Sequence, residues 1–270
     1  MQLEVAYATR YRYTRHVSEG LTALRLRPRS RHGLTVAQSR VVFAPGKLVQ
    51  SYIDGWGTQV DLIETHEPHA SFRFELRASV ETEPREEDIA PSDDEFIMYS
   101  NDSARVRTGA VSALGWHLPG AHTTWTAIES ALAWMPQRFA YDVGATDAES
   151  TMEDVIAAGA GVCQDFSHIF LALVRGWGWC ARYVSGYFFS ADARLQDRIE
   201  ADAMHAWVEV YRPGTGWIGL DATAGQYADD RYVAVGYGRD YDDVRPVRGV
   251  IFGNARQSQT AKLQMVQADR

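Results

Sequence analysis

The 270-residue chain carries a net charge of −8, with 46% hydrophobic and 23% charged residues, the balance of an ordinary globular protein rather than a disordered one. Its basic residues form no run, which disfavours nucleic-acid binding by counterion release, and no apolar stretch reaches the roughly 18 residues of a membrane-spanning helix. Charged residues scattered through Met1 to Tyr13 exclude a signal peptide there and point to a cytoplasmic protein with no membrane partner.

The first part of the chain reads as strands. From Leu3, the apolar or aromatic residues Leu3, Val5, Tyr7, Tyr11 and Tyr13 alternate with Glu4, Arg10 and Arg12. Leu24 and Leu26 alternate with Arg25 and Arg27. The pattern is clearest where Phe72, Phe74, Leu76, Ala78 and Val80 are set against Arg73, Glu75, Arg77 and Ser79. A period of two suits strands with one buried face. Turn signals at Gly33, Pro45-Gly46, Asp54-Gly55 and Pro68 separate the runs and suggest an antiparallel β-sandwich over residues 1–83. The acidic, proline-bearing residues 84–95 read as a linker, and residues 96–270 as an α+β catalytic core. Within the core, Thr124 to Met135 reads as a helix stopped by Pro136. Ser150 and Glu153 have the spacing of a capping box that opens a second, short helix.

A third helix carries the chemistry. From Cys163, the residues Phe166, Ile169, Phe170, Leu173 and Val174 recur at three- and four-residue intervals, so Cys163 sits in the first turn of an amphipathic helix. Unpaired N–H groups and the positive end of the helix dipole favour a thiolate at such a position and can stabilise an oxyanion beside it. Cys180, at the entrance to a strand, reads as buried and inert; two cysteines are too few for a disulfide framework or a cysteine-based zinc site.

A nucleophile needs a base and a group that orients it. Ala206, Val208 and Val210 alternate with His205, Trp207 and Glu209 along one strand. Arg212-Pro213-Gly214-Thr215-Gly216 turns the chain, and Trp217 to Asp221 returns it. Folding the hairpin about Pro213 and Gly214 sets residue 205 opposite a residue near 221 to 223, which brings the Asp221 carboxylate within cross-strand reach of the imidazole. Cys163, His205 and Asp221 thus make a candidate catalytic triad of nucleophile, base and orienting carboxylate.

The segments GVCQDFSH (161–168), ARYVSGY (181–187), HAWVEVY (205–211) and GWIGLD (216–221) resemble the transglutaminase-like branch of the papain-like cysteine enzymes. Phe139-Ala140-Tyr141 is similar to the start of that core, and Ser18 to Pro28 to the β-domain that precedes it in many bacterial members. The resemblance implies Cys163 as nucleophile, His205 as base and Asp221 as third member, with no cofactor and no metal. After the Asp, family members often continue Pro-Thr-Asn-Gly, whereas this chain has Ala222-Thr223-Ala224-Gly225. Trp125, Trp134 and Tyr141 are equal candidates for the aromatic oxyanion donor of the animal transglutaminases.

Acyl transfer at amide bonds of peptides, proteins or small amides follows, with hydrolysis expected over cross-linking. True transglutaminase activity and a non-catalytic scaffold are the alternatives. Asp165 and His168, spaced i, i+3, resemble half a metal site, but hydrogen bonds to neighbouring loops explain them better. His117 and His122 read as solvent-facing loop residues. The polar loop from Ser190 to Ala203 and the charged stretch from Gly238 to Gly249 read first as solvated surface loops and, as the alternative, as borders of a cleft.

Overall fold

The computed structural model describes residues 1–31, 33–84, 89–115, 124–147, 150–190 and 204–268. The N-terminal alternation forms β1 (Gln2–Val17), β2 (Glu19–Leu24), β3 (Leu34–Ala44), β4 (Lys47–Ile53), β5 (Gln59–Thr65) and β6 (His69–Thr82). Leu3, Val5, Tyr7 and Tyr11 of β1 and Phe72, Phe74, Leu76, Ala78 and Val80 of β6 face one shared core, as their period of two requires.

This sandwich is not contiguous in sequence, which corrects the expectation that residues 96–270 all belong to the catalytic core. The last strands, β14 (Val247–Phe252) and β15 (Gln257–Gln267), return to it. The two sheets have the strand orders β15-β1-β6-β3 and β14-β2-β5-β4. β15 pairs with β1 from Leu3↔Gln267 to Tyr13↔Gln257, and β14 pairs with β2. Without them β1 and β2 would each present an open edge of unpaired N–H and C=O groups. Ala261, Leu263 and Met265, alternate residues of β15, pack against the sandwich core.

The expected linker also ends early. Asp93, Asp94 and Glu95 form the first turn of α1 (Asp93–Ser100), where the helix dipole favours negative charge, and Ser92 caps it with Glu95 in a capping box.

A 3-10 helix (Thr108–Leu114), α2 (Trp125–Arg138), β7 (Ala140–Tyr141), α3 (Met152–Ala158), β8 (Ala160–Gly161) and α4 (Cys163–Gly176) lead into the second unit. α2 runs past Pro136 to Arg138, because a proline in the last turn removes only one hydrogen bond of the helix. α3 is capped one residue later than the sequence suggests, by Thr151 with Asp154; the Ser150 hydroxyl accepts instead from Asp147 N at 3.0 Å.

β9 (Ala181–Phe188), β10 (His205–Arg212), β11 (Gly216–Asp221), β12 (Gln226–Tyr227) and β13 (Tyr232–Gly238) form an antiparallel sheet in the order β12-β11-β10-β9-β13, and a short α5 (Tyr241–Val244) follows. α4 packs on the face that carries Ala206, Val208 and Val210, the face the alternation assigns to the core. Tyr187, Val233 and Val235 of β9 and β13 belong to the sandwich core, and the Tyr187 hydroxyl donates to the Leu26 carbonyl at 2.9 Å. The sheet thus joins helices and sandwich into one body. Among the described residues no helix is long and apolar enough to cross a membrane.

Candidate active site

Cys163 is the first residue of α4 and is half-buried. The turn before it is fixed by Asp165, whose Oδ2 accepts from Val162 N at 2.9 Å and from the Thr146 hydroxyl at 2.7 Å. A Cβ at Gly161 would lie 2.7 Å from that oxygen, so a side chain there would push the carboxylate off its two donors. The first-turn N–H groups around Cys163 have no carbonyl one turn earlier to bond to and stay available to a ligand.

β10 and β11 pair from Val208↔Leu220 to Arg212↔Gly216. Continued three rungs, that register sets His205 opposite residue 223 and brings Asp221, at the end of β11, beside the ring. His205 Nε2 lies 2.8 Å from Asp221 Oδ2, and both side chains are buried, at 2% and 0% exposure. The carboxylate is held on both oxygens. Oδ1 accepts from Thr223 N at 2.8 Å and Ala224 N at 3.2 Å, while Oδ2 also accepts from the Tyr232 hydroxyl at 2.8 Å. Gly225, at φ +68°, closes this turn by donating its N–H to the Asp221 carbonyl at 2.8 Å. Backbone N–H groups make the cradle, so the side chains of Ala222 and Ala224 are not needed for it.

Burial alone would lower the His205 pKa. The Asp221 charge, the hydrogen bond to it and the Cys163 side chain outweigh burial and push it up to about 10. Burial would raise the Asp221 pKa, but His205, Tyr232 and the Ala224 N–H hold it below the usual carboxylate value. The other ring nitrogen, Nδ1, has no hydrogen-bond partner among the described residues and is left for Cys163. Phe188 at 5.7 Å, Tyr232 at 6.1 Å and Trp207, stacked at 6.2 Å, surround the ring with aromatic surface.

Cys163 and His205 line one cleft of about 260 Å³ between the core and the sandwich. Tyr141 lines it too, whereas Trp125 gives its indole N–H to the Tyr227 hydroxyl at 3.0 Å and Trp134 packs on Phe139 at 5.9 Å. Of the two candidate borders, the stretch after Gly238 supplies Tyr241, Pro246 and Val247 to the wall. Residues 191–203, like His117 and His122, lie outside the described residues.

His168 accepts from Tyr241 N at 3.2 Å, and burial pulls its pKa down to about 4, so its ring is a neutral structural acceptor. Asp165 is likewise occupied by its loop contacts, and among the described residues no group of three His, Cys, Asp or Glu could hold a metal ion. Cys180 is buried at 2% exposure, which pushes its thiol up to about 11. Sequence reasoning missed Tyr232, and it missed Tyr7, Tyr11 and Gln259, which bring the sandwich into the cleft.

Residues 3–81 match the bacterial transglutaminase-like N-terminal region, and residues 118–222 match the transglutaminase-like superfamily. The uncharacterized protein ML0607 of Mycobacterium leprae is 31% identical over 264 residues, covering 93% of this chain and 94% of the relative. The uncharacterized protein Rv2569c of Mycobacterium tuberculosis is 29% identical over 289 residues, covering 94% of this chain and 88% of the relative. A Cytophaga hutchinsonii protein whose crystal structure names it a candidate cysteine protease superposes with a TM-score of 0.78 at 21% identity, over 100% of this chain and 92% of its own, and so shares the fold. With its N-terminal β-region, its helix-borne cysteine and its near-full-length relatives, the chain belongs to the bacterial transglutaminase-like proteins.

Proposed function

We propose that the protein is a cysteine-nucleophile acyl-transfer enzyme acting at amide bonds, with Cys163 as nucleophile, His205 as base and acid, Asp221 as the group that orients the ring, and hydrolysis as the basal reaction. The observation that carries this reading is the buried His205–Asp221 pair, whose second ring nitrogen is unpartnered on the same cleft as a half-buried cysteine at a helix start.

A cationic imidazole beside the sulfur stabilises the thiolate. The sulfur attacks the amide carbon, and the carbonyl oxygen becomes an oxyanion within reach of the α4 N–H groups. The C–N bond then breaks as His205 gives its Nδ1 proton to the leaving amine. Water enters, His205 takes a proton from it, the hydroxide attacks the thioester, and cleavage of the C–S bond restores the thiolate. Water is by far the most concentrated acceptor, so an amine competes only where the site shields the acyl-enzyme from solvent.

The test is partitioning. An activated amide or glutamine-containing donor is supplied with a millimolar primary amine, and free acid is measured against amine adduct. Free acid in excess, lost in Cys163→Ala, supports the reading. Predominant adduct establishes transglutaminase activity instead, and full turnover in Cys163→Ala overturns the mechanism.

A further inference from the structure

Part of the wall of the Cys163 cleft comes from the N-terminal sandwich, to which no role is attached. Tyr11 of β1 and Gln259 of β15 are direct partners across the ladder, so their side chains project from one face of the sandwich, and both line the cleft. Tyr11 is only 9% exposed, yet its hydroxyl forms no hydrogen bond with a described residue. Tyr183 of β9 is the same case at 1% exposure: a buried ring lining the cleft, with a hydroxyl that bonds no described residue. Neither hydroxyl is sealed in the core, so both open onto the cleft, where a ligand can hydrogen-bond to them.

A third tyrosine belongs to the same wall. Tyr11, Tyr183 and Tyr241 line the same cleft as Cys163. The rings of Tyr183 and Tyr241 meet edge-on with centroids 6.5 Å apart. Desolvation raises the pKa of Tyr11, Tyr183 and Tyr241, so all three keep their protons at neutral pH and remain donors. Pro246 and Val247 add apolar surface to the same wall.

We propose that the N-terminal sandwich forms one wall of the acyl-donor subsite, with Tyr11 as its specificity-determining residue, and that the donor is an extended peptide rather than a free small amide. This rests on the acyl-transfer reading above. An extended chain advances about 3.3–3.6 Å per residue, so the 6.5 Å between the Tyr183 and Tyr241 rings spans roughly two residues. Each peptide residue offers a carbonyl and an N–H in step with that spacing. Phenolic hydroxyls and the Gln259 carboxamide both donate and accept, which is what such a backbone needs. An amide of a single residue is too short to span even the Tyr183 and Tyr241 rings, and so uses only part of this wall.

The experiment compares a one-residue and a four-residue peptidyl anilide with the same residue at the scissile bond, in the wild type and in Tyr11→Phe. In the wild type, kcat/KM rises with length. In Tyr11→Phe the ratio of long to short falls about 3- to 10-fold, the effect of one lost hydrogen bond, and the change lies in KM. An absence of length dependence in the wild type, or an unchanged ratio in Tyr11→Phe, overturns the subsite while Cys163-dependent turnover keeps the acyl-transfer reading. If no donor shows Cys163-dependent turnover, that reading falls by itself. Calorimetric binding of the four-residue amide to Cys163→Ala with and without Tyr11→Phe then decides the subsite: weaker binding in the double variant supports it, and equal binding overturns it.

Discussion

Replacing Asp221 by Asn keeps the shape of the buried carboxyl group and reverses what it offers to His205. Oδ1 accepts from the N–H groups of Thr223 and Ala224, so the amide oxygen of Asn must take that side. The amide nitrogen then occupies the position of Oδ2, facing His205 Nε2 at 2.8 Å and the Tyr232 hydroxyl at 2.8 Å. A donor there forces Nε2 to accept, and the ring proton moves to Nδ1, the nitrogen left for Cys163. A neutral ring protonated on Nδ1 can neither take the thiol proton nor release one to the leaving amine. Loss of the carboxylate also removes what offsets burial, so the His205 pKa drops from about 10 towards the low side of its ordinary value. Asp221→Asn therefore costs about 10⁴-fold in kcat/KM, the scale of a locked wrong tautomer, and approaches the loss in His205→Ala. Asp221→Ala frees the ring to choose its tautomer and costs on the order of 10²-fold. The assay is kcat/KM on one amide donor from pH 6 to 9, with circular dichroism to confirm folding. If Asp221→Asn retains more turnover than Asp221→Ala, or keeps the wild-type pH profile, the reasoning about Nε2 is wrong.

Three further outcomes are expected. Brief treatment of the native protein with iodoacetamide labels Cys163 and spares Cys180, whose thiol is buried and raised to about 11; equal labelling by mass spectrometry would contradict the burial. Gly161→Ala places a methyl group against the Asp165 carboxylate and lowers stability by about 1–3 kcal/mol in urea unfolding, with little loss expected in Gly144→Ala, where the nearest atom is 3.4 Å away. His205, raised from 6.5 to about 10, contributes stability that is complete below pH 6.5 and is lost as pH rises through about 10. His205→Ala therefore flattens the alkaline fall in stability, as unfolding at pH 7 and above pH 10 would show.

Much of the site is legible in the sequence because its parts are local. The period of α4 places Cys163, and the turn at Pro213 and Gly214 sets the hairpin register by counting residues. Tyr232 could not be found this way: it reaches Asp221 from β13, which pairs with β9 and not with the hairpin. The return of β14 and β15 to the sandwich is non-local in the same sense. A signal existed in Ala261, Leu263 and Met265, which alternate with Lys262 and Gln264, but alternation identifies a strand and not its partner. The cap of α3 shows the opposite limit. Ser150 with Glu153 and Thr151 with Asp154 satisfy the same rule, and only packing selects between them.

Those non-local strands explain how a cleft between two units holds its dimensions. Cys163 stands on a helix whose inner face shares one core with β10 and β11, which carry His205 and Asp221, so the reacting groups are fixed to each other. Tyr11 and Gln259 stand on β1 and β15, across the cleft, and a hinge between the units would change their distance from the sulfur. Three features remove that freedom. The Tyr187 hydroxyl is bonded to Leu26, Val233 and Val235 are built into the sandwich core, and the chain leaves the α5 region directly into β14 through Pro246. A buried ion pair such as His205–Asp221 contributes little stability compared with apolar side chains of the same volume. Under the proposed mechanism the pair beside Cys163 therefore serves to move a proton rather than to hold the fold.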